Sequence, residues 1–165
     1  MKKLLPLYSI LALVLLQSCI YGGGDDTRTL ANFDPVIVTR DALENSVLTL
    51  PPQPLINSGK IYIKDDVMFI NDVNKGFHVY DYSNPQNPVK IGFIQAWGAT
   101  DLAMRANVIY VNQAVDLITL LYNPADNSIT LTNRNREVFP TKPSPEGSTA
   151  HTTNDDVVID WTRAN

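Results

Sequence analysis

The chain of 165 residues contains a single cysteine and only two histidines. One cysteine excludes a disulfide bond within the chain. Neither His78 nor His151 has another histidine or cysteine at the spacing of a metal site, so we expect no metal and no cofactor. No serine lies in a Gly-x-Ser-x-Gly setting, which leaves a Ser-His-Asp triad without support.

Basic residues are outnumbered by acidic ones. The chain has 13 lysines and arginines against 17 aspartates and glutamates, and its net charge is −4. With no basic patch in the sequence, nucleic acid is not an expected partner. The length allows one ordinary domain.

The sequence has no apolar run long enough for a comfortable membrane span, which needs about 20 residues. The apolar run at residues 4–16 is shorter than that and follows the charged start Met-Lys-Lys. This arrangement is typical of a secretory signal peptide, which we place at residues 1–18.

A lipid attachment site follows the signal peptide. Residues 16–19 read Leu-Gln-Ser-Cys and resemble the lipobox of bacterial lipoproteins. The resemblance implies cleavage before Cys19 and acyl chains such as palmitate on it, which anchor the protein in a membrane. Ile20 carries no inner-membrane retention signal by the same resemblance, so we expect an outer-membrane lipoprotein on the periplasmic or the surface side.

Residues 19–34 form a flexible tether rich in glycine and aspartate. Its Asp25 and Asp26 are either a solvated linker or, by weak resemblance, an acidic surface-export signal. Residues 35–58 follow as a leading segment, with a strand at 35–38, a short helix at 41–47 and a proline-rich linker.

Residues 67–95 consist of three strand-like runs joined by two turns, and the second run alternates as a half-buried strand does. Its two faces carry Phe77, Val79 and Asp81 on one side, and His78, Tyr80 and Tyr82 on the other. Gly76 closes the first turn, where we expect a positive φ. The Asp72–Gly76 stretch also resembles half of a calcium loop, but the turn interpretation is favoured because the twelfth position is Ser83.

A second copy begins 41 residues after the first, because Val108 to Asn112 aligns with Val67 to Asn71. The Asn-Pro pairs at Asn84 and Asn123 also align. Repeats of about 40 to 45 residues made of short strands are typical of propeller blades. The sequence therefore predicts an all-β fold with about two antiparallel blade-like repeats at residues 59–139.

The first repeat resembles the LVIVD-repeat family. The resemblance is carried by residues 76–81 (Gly-Phe-His-Val-Tyr-Asp), 83–88 (Ser-Asn-Pro-Gln-Asn-Pro) and 91–94 (Ile-Gly-Phe-Ile), and it covers roughly residues 33–140. Members are predicted β-propeller proteins of bacterial and archaeal cell surfaces, so the resemblance implies the N-terminal portion of a surface lipoprotein. The second copy departs from the pattern, since residues 117–122 lack the aspartate that Asp81 supplies, and this leaves the pairing of its strands open.

Residues 140–165 are predicted to form a proline-rich loop and one strand at 156–161 with no following partner. Two repeats do not close a propeller, which typically uses four to eight blades. We therefore expect the chain to be part of a longer propeller or a truncated product, able to self-associate through open blade edges.

The sequence holds no recognisable catalytic constellation, so we expect a non-catalytic binding or scaffold module with an unknown protein or glycan ligand. The alternative is a truncated hydrolase-like enzyme whose active residues lie in missing blades. The aromatic residues of the first repeat predict a contact surface formed by His78, Tyr80, Tyr82 and Trp97.

Overall fold

The computed structural model describes residues 33–153 and 155–164. The signal peptide 1–18, the lipidation site Cys19 and nearly all of the tether 19–34 therefore lie outside the described residues. The predicted all-β fold is confirmed, with one short helix among antiparallel strands. No helix in the described part of the chain is both long and apolar enough to cross a bilayer.

The elements, in chain order, are β1 (Phe33–Thr39), α1 (Arg40–Asn45), β2 (Leu48–Leu50), β3 (Ser58–Lys64), β4 (Val67–Asp72), β5 (Gly76–Asp81), β6 (Val89–Gln95), β7 (Ala99–Arg105), β8 (Val108–Gln113), β9 (Asp116–Asn123), β10 (Ser128–Asn135) and β11 (Asp156–Arg163).

The strands form three antiparallel sheets. The first repeat sheet has the order β2-β6-β5-β4-β3, and the second repeat sheet has the order β10-β9-β8-β7. A terminal sheet pairs β1 with β11. Strands β3 to β6 and β7 to β10 are thus two meanders of the same order, which matches the period read from the sequence.

The turns of the two repeats also match at the level of single hydrogen bonds. The side-chain Oδ1 of Asn84 accepts from the N–H of Gln86, and Oδ1 of Asn123 accepts from the N–H of Ala125, both at 3.1 Å. Such bonds to the residue two positions on are how asparagine stabilises a turn. Strands β8 and β9 of the second repeat pair without a register shift, with Leu121 opposite Val108, so the missing aspartate does not disturb this ladder.

Gly76 adopts a φ of 146°, as predicted. A β-carbon at this position would lie 2.0 Å from the backbone oxygen of Ile94 on the neighbouring strand. Both the conformation and the close approach of the two strands therefore require glycine.

The two repeat sheets stack face to face and share the main core. Phe69, Phe77 and Val79 of the first sheet lie fully buried against the aliphatic face of the second. The rings of Phe69 and Tyr122 meet edge to face, with centroids 5.6 Å apart. Burying each such side chain stabilises the fold by roughly 1.5–3 kcal/mol.

The expectation that β5 is half-buried is wrong, because both of its faces are covered. Residues 50–57 cross the face opposite the core, and the N–H groups of Ile56 and Asn57 donate to Asp72 there. The same segment accepts a hydrogen bond from Lys90 Nζ through the carbonyl of Gln53. His78 lies on this same side of β5, beside Asp72 and the ring of Phe93.

The expectation that the last strand lacks a partner also needs correction. Strand β11 pairs along its length with β1, so the two ends of the described domain meet in one sheet. Val36 and Val38 of β1 and Val157 and Ile159 of β11 pack against Leu43 of the helix. The helix begins after Thr39, whose Oγ1 accepts from the N–H of Ala42, as helix-capping threonines do.

Candidate functional site

A cleft of about 500 Å³ lies between the terminal sheet and the outer face of the first repeat sheet. Its apolar lining comes from Val36, Val38 and Ile159 of the terminal sheet, and from Phe93 and Trp97 across from them. The crossing segment 50–57 contributes Leu50, Pro54 and Ile56 to the rim. A concave, mainly apolar site with a few polar groups is the usual form of a small-molecule pocket.

Trp97 follows the last strand of the first repeat and is held by its backbone. Its N–H donates to Oγ of Ser46 at 3.2 Å, and the Ser46 hydroxyl in turn donates to the carbonyl of Leu43. The side chain is half-buried, with part of its surface in the cleft. Helix α1 therefore fixes the position of the aromatic wall.

Asn74 joins the sheets at one end of the cleft. It sits in the turn between β4 and β5 with a φ of 63°, a conformation that asparagine tolerates better than most residues. Its Nδ2 donates to Asp160 of the terminal sheet, and its Oδ1 accepts from Lys142 Nζ at 2.7 Å. Its backbone N–H donates to the carbonyl of Ala99 in the second repeat sheet.

Asp72 lines the cleft and fastens the crossing segment. Its carboxylate accepts from the N–H groups of Ile56 and Asn57, each at 3.0 Å, and lies 3.2 Å from Nε2 of His78. Burial acts to raise the pKa of Asp72, but these three hydrogen bonds outweigh it, so the pKa is lowered. Asp72 is therefore an ionised anchor for the rim of the cleft.

His78 lies behind Asp72 and is fully buried beside the ring of Phe93. Burial lowers the pKa of His78, and the hydrogen bond to Asp72 only partly offsets this. The imidazole is thus neutral at pH 7, and the ionised Asp72 assigns its proton to Nε2. Within the described residues its Nδ1 has no hydrogen-bond partner.

The predicted contact surface is not assembled as expected. His78 is 0% exposed, so it is wrong as a contact residue. Tyr80 lies half-buried beneath Lys90, whose Nζ is 5.5 Å from the ring centre. Tyr82 is half-buried as well, and of the four residues only Trp97 lines the cleft.

Sequence reasoning missed the polar groups of the cleft. The sequence predicts a turn at Asp72–Gly76 and an isolated strand at residues 156–161, and neither prediction indicates that Asn74, Lys75 and Asp160 line a cleft. The proline-rich linker was the available signal for the rim, because prolines in an extended segment favour a stiff wall over a further strand. Nothing in the sequence placed β11 beside that wall.

A second polar cluster lies under the helix and away from this cleft. Asp116 is fully buried and accepts from Nη1 of Arg40 at 2.8 Å, Nη1 of Arg134 at 2.6 Å and the N–H of Glu137 at 3.1 Å. Arg134 lies in β10 with its side chain 9% exposed. Through Arg40 the cluster ties α1 to the second repeat sheet, and through Arg134 and Glu137 it ties β10 and the residues after it to β9.

Comparison with known proteins found no matching family model, no matching curated protein and no matching solved structure.

Proposed function

We propose that this protein is a lipid-anchored protein of the bacterial cell envelope whose β domain binds a small, mainly apolar ligand in the cleft. The observation that carries the binding role is the cleft itself, with Trp97 and Phe93 on one side and the aliphatic residues of the terminal sheet on the other. The lipid anchor rests on the sequence at residues 16–19.

The cleft is preformed in a way that favours binding over catalysis. The acid and the imidazole nearest to it, Asp72 and His78, are committed to each other and to the backbone of the crossing segment. Both polar atoms of the Asn74 side-chain amide are also hydrogen-bonded, Nδ2 to Asp160 and Oδ1 to Lys142. These polar groups hold the walls of the cleft in place, and the apolar surface stays available for the ligand. Ligand binding should therefore cost little conformational entropy in the protein.

We also propose that the two repeats are propeller-type blades of the LVIVD kind. The matching hydrogen bonds of Asn84 and Asn123 and the common strand order of the two meanders support this.

Titration with the neutral hydrophobic dye Nile red tests the binding role. We expect saturable binding of one dye per chain, with a change in Trp97 fluorescence. Trp97→Ala should weaken binding at least about tenfold, because it removes the largest apolar wall. Trp161→Phe is the matched control, since Trp161 donates to the carbonyl of Lys142 and does not line the cleft.

Weak, non-saturable dye uptake, or equal affinity in the native protein and Trp97→Ala, would contradict the proposal. Tyr110→Lys, on a different apolar surface, should leave the dye affinity unchanged. This variant separates the cleft from general surface adsorption.

A further inference from the structure

The charges around the cleft differ in sign from the charge of the whole chain, which is −4. Among the described residues, the charged side chains that line the cleft or hydrogen-bond to its lining residues are Asp72, Lys75, Lys90, Lys142 and Asp160. His78 adds no charge, because burial keeps its imidazole neutral at pH 7. Three lysines stand against two aspartates, so the cleft is a positive region of an acidic protein.

Asp72 does not offer its charge to a ligand. The residue is 1% exposed. Its two carboxylate oxygens already meet the N–H groups of Ile56 and Asn57 and Nε2 of His78. Because these donors surround the carboxylate and almost none of it reaches solvent, Asp72 presents no site for a cationic group.

Asp160 and Lys142 offset each other across the side-chain amide of Asn74. Nδ2 of Asn74 donates to Oδ1 of Asp160, and Oδ1 of Asn74 accepts from Lys142 Nζ at 2.7 Å. The N–H of Trp161 donates to the same oxygen of Asp160 at 2.8 Å. One amide thus joins a carboxylate to an ammonium, and the two opposite charges balance within the protein.

The two remaining lysines differ in how they are held. Lys90 Nζ donates to the carbonyl of Gln53 at 2.8 Å and lies 5.5 Å from the ring centre of Tyr80. Lys75 lines the cleft and is exposed, and within the described residues its side chain forms neither a hydrogen bond nor an ion pair. Its backbone is fixed by hydrogen bonds on both sides, at 2.9 and 3.0 Å. The charge at the cleft that lacks a partner is therefore positive.

We propose that the ligand of the cleft is an anionic amphiphile, with a carboxylate or phosphate at Lys75 and an apolar chain along Phe93 and Trp97. This inference rests on the proposed binding role and adds the chemical class of the ligand. An ammonium offers three hydrogen-bond donors, and its bond to an anionic oxygen is stronger than a bond between neutral groups. Lys75 follows Asn74, at the end of the cleft where the sheets are joined, so a head group there leaves the apolar walls to the chain.

Calorimetric titration with a series of octyl compounds tests the proposal. Octanoate, octanol and octyltrimethylammonium share one apolar chain and differ in charge, so the contribution of the chain cancels from the comparison. The Cys19→Ala chain is used at neutral pH, because acyl chains on Cys19 would themselves take up the probes. We expect octanoate to bind at least about fivefold more tightly than octanol, and octyltrimethylammonium to bind most weakly. Added salt should reduce the difference, because it screens the charges.

Two substitutions of Lys75 link the preference to this side chain. Lys75→Gln should bind octanoate no more tightly than octanol. Lys75→Glu should reverse the order, so that octyltrimethylammonium binds most tightly, and a role of Lys75 in folding alone would not produce this reversal. Lys60→Gln is the matched control and should keep the native preference, because Lys60 is an exposed lysine that pairs with Asp101 and does not line the cleft.

Equal affinity of the native cleft for octanoate and octanol would overturn the anionic ligand and leave the binding role intact. A preference for octanoate that persists in Lys75→Gln, or that is lost in Lys60→Gln, would do the same. No binding of any of the three probes would overturn both proposals. Octyl phosphate then identifies the anion, since tighter binding than octanoate assigns a phosphate head group and weaker binding a carboxylate, and either result supports the anionic class.

Discussion

The imidazole of His78 and the carboxylate of Asp72 form a buried pair, with Nε2 and Oδ2 3.2 Å apart, directly behind the rim of the cleft. Asp72 also holds the backbone of Ile56 and Asn57. The pair therefore links the interior of the first repeat sheet to the crossing segment at the rim of the cleft.

The first prediction concerns pH. Burial lowers the pKa of His78 below the ordinary value of 6.5, so the unfolded chain binds a proton more readily than the folded one. The contribution of neutral His78 to stability is complete above about pH 6.5 and decreases as the pH falls through that value. Asp72 acts in the same direction at lower pH, because its lowered pKa means that stability is lost as the carboxylate becomes protonated.

Urea unfolding at several pH values measures this effect. The midpoint should fall between about pH 7 and about pH 5, and His78→Phe should flatten that part of the curve. A His151→Phe control should keep the native slope, since His151 is exposed. The same slope in the native protein and in His78→Phe would exclude His78 as its source.

The second prediction concerns Gly76. Gly76→Val should lower the free energy of unfolding by about 3 kcal/mol or more, because the new β-carbon collides with the Ile94 carbonyl in addition to the strained φ. Gly147→Ala is the control. It shares a positive φ of 86° but meets nothing within 4 Å, so only about 1 kcal/mol of backbone strain is expected. Equal losses for the two variants would mean that the collision contributes nothing.

The third prediction concerns the buried carboxylate of Asp116. Asp116→Ala leaves two largely buried guanidinium groups without their partner and should cost about 3–5 kcal/mol. Asp65→Asn removes an ion pair whose carboxylate is 81% exposed, so a change below about 1 kcal/mol is expected. Thermal or urea melting of both variants measures the difference, and a loss below about 1 kcal/mol for Asp116→Ala would contradict the structural role of the cluster.

The fourth prediction concerns the anchor. Cys19→Ala should abolish labelling by radioactive palmitate and move the protein from the membrane to the soluble fraction, because at least two acyl chains are needed for stable attachment. A Ser18→Ala variant keeps the cysteine and should still be labelled. Membrane partition that persists in Cys19→Ala would exclude lipid on this residue as the anchor.

Local signals made the fold class, the period and several turns predictable. Alternation along β5 and β8, the glycine at position 76 and the Asn-Pro turns depend on residues within a few positions of each other, so a single sequence carries them. The turn at Asn123 forms although the second repeat lacks the aspartate that corresponds to Asp81. It is stabilised by the hydrogen bond from the N–H of Ala125 to Oδ1 of Asn123.

Long-range packing decided what the sequence did not reveal. His78 resembles a surface residue in an alternating strand, but the fold buries it against Asp72 and the ring of Phe93. Arg134 lies among polar residues and reaches Asp116 through the tertiary fold. One side of the cleft is formed by β1 and β11 together. The local sequence of either strand does not indicate that it pairs with the other.

The pairing of β1 with β11 also has a consequence for how the cleft comes into being. One side of the cleft is made by the first and last strands of the described domain, so its assembly must wait for the contact of greatest chain separation, which is entropically costly to close. We therefore expect the cleft to become able to bind late in folding. A ligand bound in the cleft would contact both the first repeat sheet and the β1–β11 sheet. It would therefore stabilise the pairing of β1 with β11, and ligand binding would be measurable as an increase in the free energy of unfolding.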